Sequence, residues 1–96
     1  MYKILVVDDD PGLRLSVRNT LEMAMPANKY RIEEAFDGID AIEKAKNGHF
    51  SMVLLDVDMP RCSGLQALRT LKEHNPSLII LMMTAFATIE NAVQAV

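Results

Sequence analysis

Residues 3–11, KILVVDDDP, and residues 51–60, SMVLLDVDMP, share one pattern. A short apolar, β-rich run stops at aspartate. Lys3 to Val7 predicts a strand whose C-terminal end bears Asp8 and Asp9. Ser51 to Leu55 predicts a strand ending at Asp56, with Met59-Pro60 breaking it. A third run, LIILMM from Leu78 to Met83, ends at Thr84; its unbroken apolar character predicts a strand buried on both faces. Tyr30 to Ala35, YRIEEA, is a weaker strand whose Glu33-Glu34 pair suits a sheet edge.

Helical patterns fill the gaps between these runs. Asp10-Pro11 is a helix start, with Asp as N-cap and Pro at the first helical position. Leu13, Val17, Leu21 and Ala24 then form one apolar face, and Pro26 ends it. Asp37-Gly38 is a turn signal. Ile39 to Lys46 predicts a short helix with Ala41, Ile42 and Ala45 apolar, closed by Asn47-Gly48. Ser63 and Gln66 match a capping box, and Leu65, Leu68 and Leu71 line a third helix that Asn75-Pro76 closes. Thr88 caps a fourth, with Ile89, Ala92, Val93 and Val96 on one face. The alternation β-α-β-α-β-α-β-α, with short connections, predicts an α/β fold. Its form is an open parallel sheet, helices on both faces and right-handed crossovers.

The composition bounds what such a domain does. At 96 residues the chain is one domain at most. An apolar fraction of 50% with 24% charged residues is an ordinary globular balance, not a disordered one. No apolar run is long enough to span a bilayer, and the start, MYKILVVDDD, meets acids too soon to be a signal peptide. The single cysteine, Cys62, cannot form an internal disulfide, which suits a reducing, cytoplasmic setting. A formal charge of -3 argues against direct nucleic-acid binding. That excess is concentrated in Asp8-Asp9-Asp10 and Asp56/Asp58; elsewhere basic residues outnumber acids. Met23, Met25, Met52, Met82 and Met83 fall within elements and are expected to fill core gaps. Lys44, Lys46 and Lys72 read as solvated helix faces, and Phe86 as either an exposed partner contact or core packing.

In open α/β sheets, ligands sit beyond the carboxyl ends of the strands. Strands one, three and four would deliver Asp8-Asp9, Asp56 and Thr84 to that rim. Three carboxylates a few ångströms apart repel, and a divalent cation removes the conflict. Hard oxygen donors in an open site favour Mg²⁺ over Zn²⁺, and His49, His74 and Cys62 form no ligand cluster. The plainer reading is that these acids only cap strand ends and a helix. That reading suffices for Asp10 but not for the other three together. A carboxylate beside bound Mg²⁺ can attack phosphorus to give an aspartyl phosphate. Phosphoryl transfer needs positioning and charge neutralisation more than covalent chemistry from the protein.

VVDDDPGLR, AFDGIDAIEKA, MVLLDVDMPRCSGLQALRTLK and LIILMMTAFATIENAVQA resemble, in order and spacing, the successive motifs of a response-regulator receiver domain of two-component signalling. The likeness runs from Lys3 to Val96, and TAFATIENAV is similar to the nitrogen-regulation type. The resemblance implies a flavodoxin-like sheet of order 2-1-3-4. It implies that Asp56 is the phosphoacceptor. Asp8 and Asp9 would be the acidic pair, with Asp9 ligating Mg²⁺ directly and Asp8 through water. The backbone carbonyl of Asp58 would be the third protein ligand, Thr84 the switch hydroxyl, and Ala85 the small residue of the phosphoryl pocket. Phosphate would come from a histidine kinase, and a two-state switch would carry the signal to an output domain.

One departure stands out. Receivers normally continue for roughly 25 further residues, close to the usual domain size, through a fifth strand and helix that carry a lysine and an aromatic switch partner. None of Lys3, Lys29, Lys44, Lys46 and Lys72 occupies such a place. Residues 1–96 therefore read as a receiver incomplete at its C-terminus. The expectation is an exposed fourth-strand edge and a chain that is unstable alone, homodimeric, strand-exchanged, or a fragment. Two other readings compete: a receiver-fold interaction module that is not phosphorylated, and a phosphatase using Asp56-Val57-Asp58 as its D-x-D nucleophile motif. Against the phosphatase, Pro60 stands where that motif expects Thr or Val, and Asp8-Asp9 would have no task.

Overall fold

Strand β1 (Tyr2–Val7) runs through the middle of the sheet, flanked by β2 (Tyr30–Ala35) and β3 (Met52–Asp56). The computed structural model describes residues 2–57, 59 and 63–83. Strand β4 (Ile79–Met83) pairs with the far side of β3, giving four parallel strands in the order β2-β1-β3-β4. Helices α1 (Pro11–Ala24), α2 (Gly38–Asn47) and α3 (Gly64–His74) connect them. The glutamates of YRIEEA thus lie on an edge strand, as their charge requires. The fourth helix expected after Thr88 falls outside the described residues. Among the described residues, no helix is long and apolar enough to cross a membrane.

Alternation along the strands sorts the core into two layers. Leu5, Val7, Val53, Leu55, Ile80 and Met82 face α2 and α3, where Ala41, Ala67, Leu71, Phe50 and Leu78 meet them. Ile4, Val6, Ile32 and Leu54 face the other way, packed by Val17, Leu21 and Met25 at α1. The two sides are unequal. Helices α2 and α3 bury residues completely, whereas α1 buries none.

Four expectations need correction. Leu13 and Ala24 are exposed, because only Val17 and Leu21 of α1 reach the sheet. Leu65 is exposed as well; Gly64, Ala67 and Leu71 form the buried face of α3. Met23 is 90% exposed and fills no gap. Strand β4 is sealed on one side only: Ile80 and Met82 are buried, whereas on the other face Leu81 and Met83 are half-buried and Ile79 is exposed. It is an outer strand of the four, and α1 packs over β1 and β2 on that face.

The caps follow local chemistry. Asp10 accepts from the backbone N–H groups of Gly12 and Leu13, at 2.8 and 3.3 Å. Asp37 does more than mark a turn: its carboxylate caps α2 through the Asp40 N–H at 2.8 Å. Ser63 and Gln66 form the reciprocal capping box of α3. The start of α3 is pressed against the end of β3. A Cβ at Gly64 would lie 2.7 Å from Cα of Val57 and closer still to the carbonyl oxygen of Asp56.

Helix α1 is held to the edge strand by charge. Arg14 Nε donates to Glu34 at 2.9 Å, and Arg18 Nη1 donates to the other Glu34 oxygen at 2.7 Å. Arg18 also pairs with Glu22. The hydrogen bond from Arg18, more than that from Arg14, holds the Glu34 carboxyl below the usual carboxylate range, against the opposing effect of burial. Glu22, then Glu34, raise Arg18 in turn.

Two outcomes follow from these contacts. Gly64→Ala meets backbone rather than a yielding side chain, so overpacking should cost about 1–3 kcal/mol. That exceeds the roughly 1 kcal/mol that alanine's helix propensity returns, and the urea midpoint should fall. Because Glu34 is more acidic folded than unfolded, its stabilising contribution is complete above the unfolded value near 4.5. It is lost as pH falls through the lower folded value. Urea midpoints taken between about pH 6 and about pH 3 should therefore drop less in Glu34→Gln than in the wild type.

Candidate metal and phosphoryl site

The strand register itself builds the acid cluster. Val7 lies beside Leu55 across the β1–β3 ladder. One residue further, Asp8 and Asp56 leave adjacent strands at the same level and with the same parity, so both occupy one side of the rim. Neighbouring strands are only about 4.8 Å apart. Asp9 follows in the bend before α1. Carboxylate oxygens of Asp8, Asp9 and Asp56 all lie within 4.8 Å of one another. Asp8 and Asp56 keep only 6% and 9% of their surface, while Asp9 is exposed. The cluster is thus rooted in the core and opens to solvent on the Asp9 side.

Asp8 is fixed from three directions. Its N–H donates to the carbonyl of Ala35 at 3.2 Å, extending the β1–β2 pairing by one residue. Its Oδ1 accepts from the N–H of Asp10 at 2.9 Å. Its carbonyl accepts from Arg14 Nη1 at 2.8 Å. Asp56 is held by the ladder, where it pairs with Met83. Just beyond it, the Val57 N–H donates to the Met83 carbonyl at 2.8 Å, and the Val57 carbonyl accepts from Gly64 at 3.0 Å. The rim is therefore braced by β2, β4, α1 and α3 together.

The sequence reading of Asp8, Asp9 and Asp56 as neighbours matches this geometry, and Asp10 is the helix cap it was expected to be. Asp58, Thr84 and Ala85 lie outside the described residues. The sequence reading missed Arg14. Its signal was present: it stands four residues after the capping Asp10, one helical turn on, over the same strand ends. Among the described residues, the donor set consists only of carboxylate oxygens, is partly open, and contains no sulfur or imidazole. That chemistry fits a small hard divalent cation such as Mg²⁺.

Comparison with known proteins agrees. A family model described as the response regulator receiver domain matches residues 4–96. The chain is 37% identical over 92 residues to the transcriptional regulatory protein ZraR of Klebsiella oxytoca, covering 96% of this chain and 20% of ZraR. It is 40% identical over 91 residues to the response regulator MprA of Mycobacterium sp. (strain KMS), covering 95% and 38%. It spans well under half the length of these two relatives. Among solved structures, TrrA of Thermotoga maritima in complex with Mg(2+)-BeF superposes with a TM-score of 0.83 at 30% identity, covering 99% of this chain and 81% of that one. TrrA in complex with the histidine kinase ThkA gives 0.82 at 30% identity, covering 99% and 80%. Strand order, acid cluster and sequence converge on one assignment: the chain belongs to the response regulator receiver domain family of two-component systems.

Proposed function

We propose that the chain is a Mg²⁺-dependent phosphoacceptor, taking phosphate from a histidine kinase onto Asp56 and switching an output domain of the intact protein. The observation that carries this is the convergence of Asp8, Asp9 and Asp56 within 4.8 Å. A D-x-D phosphatase leaves Asp8 and Asp9 idle; the receiver reading gives all three acids one task. The structure of TrrA with Mg(2+)-BeF, and that of TrrA with its kinase ThkA, support both halves of the proposal.

Asp9 would hold the cation directly and Asp8 through water, with the Asp58 backbone carbonyl as a further donor. Mg²⁺ supplies charge neutralisation for the phosphoryl oxygens. A carboxylate oxygen of Asp56 attacks phosphorus, and the donor's P–N bond breaks with its electron pair going to the imidazole nitrogen. An acyl phosphate is left on Asp56. The ladder holds Asp56 still for in-line attack, and partial burial limits the water that competes with it. Ala85 leaves room for the phosphoryl group, and Thr84 hydrogen-bonds it and biases the β4 end between two arrangements. The protein accepts phosphate and is not a turnover enzyme. It works in the cytoplasm, with no direct nucleic-acid contact from this domain. A second copy, as a homodimer, is a further proposed partner.

Incubation with a small acyl phosphate and Mg²⁺ should add one phosphoryl group by intact mass. Asp56→Asn should add none, and Asp9→Asn should require at least tenfold more Mg²⁺, the order of effect expected for a metal-site partner. A wild-type mass that stays unchanged would favour the unphosphorylated interaction module. Steady turnover of p-nitrophenyl phosphate would favour the phosphatase.

A further inference from the structure

Arg14 is the one basic side chain that the described hydrogen bonds tie to the acid-bearing loop. Its guanidinium is forked. Nη1 donates to the carbonyl of Asp8 at 2.8 Å, and Nε donates to Glu34 on the edge strand at 2.9 Å. It is mostly buried, with 19% of its side chain exposed, so the fork is not a loose surface contact. The carbonyl it grips belongs to the peptide joining Asp8 to Asp9. That peptide sets where both carboxylates stand relative to Asp56.

We infer that Arg14 is a positioning residue for the cation site, acting through the Asp8–Asp9 peptide and not through its charge. This rests on the acid-site reading above. Two effects of an arginine here oppose each other. Its positive charge would weaken cation binding, whereas its grip on the loop would favour it. Glu34 separates them. It accepts from Nε at 2.9 Å, and an uncharged acceptor of the same shape would keep that hydrogen bond while removing the negative charge beside the guanidinium. Lysine cannot substitute: a single ammonium on a flexible stem does not present two fixed donors to a carbonyl and a carboxylate at once.

The test is a Mg²⁺ titration of the purified protein, followed by the amide resonances of residues 8–10, alongside urea unfolding without Mg²⁺. Wild type should bind saturably. Arg14→Lys and Arg14→Ala should both bind about tenfold more weakly, the lower end of what losing an outer hydrogen-bond partner costs a metal site. Their cation-free resonances at Asp9 and Asp10 should already be displaced. Arg18→Ala breaks the other Glu34 pair and lowers the urea midpoint without touching Asp8, so its Mg²⁺ affinity should equal that of wild type. Glu34→Gln keeps an acceptor for Nε and should also bind as wild type does.

Arg14→Ala binding as tightly as wild type, or more tightly, overturns the inference in favour of the field effect. Arg18→Ala weakening Mg²⁺ as much as Arg14→Ala overturns it in favour of general loosening of α1. Should Arg14→Ala fail to fold, Arg14→Lys and Glu34→Gln decide alone: weak binding by the first with normal binding by the second supports the clamp, and the reverse overturns it. Absence of saturable binding in wild type is a separate result. It removes the acid-site reading, and the inference with it.

Discussion

Crowding of like charge at the rim is the constraint around which this structure is arranged. Two unit charges 4 Å apart repel by about 4 kcal/mol at an effective dielectric of 20, more than a typical surface ion pair returns. The chain nevertheless sets Asp8, Asp9 and Asp56 within 4.8 Å of each other. It can do so because the acids are extensions of β1 and β3, and those strands are locked in parallel register by residues with no exposed surface: Leu5, Val7, Val53 and Leu55. Moving the Asp8 and Asp56 backbones apart would mean slipping the register. A one-residue slip would turn every apolar side chain of the strand to the wrong face. The hydrophobic core thus holds a polar arrangement that the acids alone would abandon.

The same logic explains the tight approach of α3. Gly64 lets the helix start lie directly on the Asp56–Val57 backbone, and its N–H satisfies the Val57 carbonyl. With β4 taking the Val57 N–H through the Met83 carbonyl, the chain just past Asp56 has its backbone groups engaged on both sides. In the proposed phosphoacceptor role, a carboxylate carried by so constrained a backbone would lose little freedom on reaching the transition state.

Much of this was legible in the sequence, for physical reasons. Strands that stop at aspartate mark the rim, and Ser63 with Gln66 marks a helix start, because both signals are local. The α/β alternation narrows the topologies to an open parallel sheet, and the resemblance to receiver domains supplied its strand order. What failed was the assignment of helix faces. Leu13 and Leu65 continue an apolar spacing, yet both are exposed: only Val17 and Leu21 of α1 reach the sheet, and in the first turn of α3 it is Gly64, next to Leu65, that meets β3. Periodicity tells which residues share a face; it does not tell how far the partner extends. Arg14 was missed for a related reason. Its partners, Asp8 and Glu34, are 6 and 20 residues away, and only the folded geometry puts them on either side of one guanidinium.

The unequal packing of the two faces bears on how the site can respond to its surroundings. Helices α2 and α3 are anchored by residues sealed from solvent, whereas α1 rests on half-buried Val17 and Leu21 and on the charge ties of Arg14 and Arg18 to Glu34. Local opening is cheapest where few apolar contacts must be broken. The acid loop is therefore bounded by a rigid wall at β3 and α3 and by a softer one at α1. Rising salt screens the repulsion among the acids and the α1 ties alike, since both are electrostatic and reach solvent. The first change relaxes the cluster; the second loosens the loop that shapes it. A site built this way keeps the buried Asp56 on the rigid side and its most exposed acid, Asp9, on the yielding side. That leaves the exposed carboxylate free to adjust while the buried one stays in place.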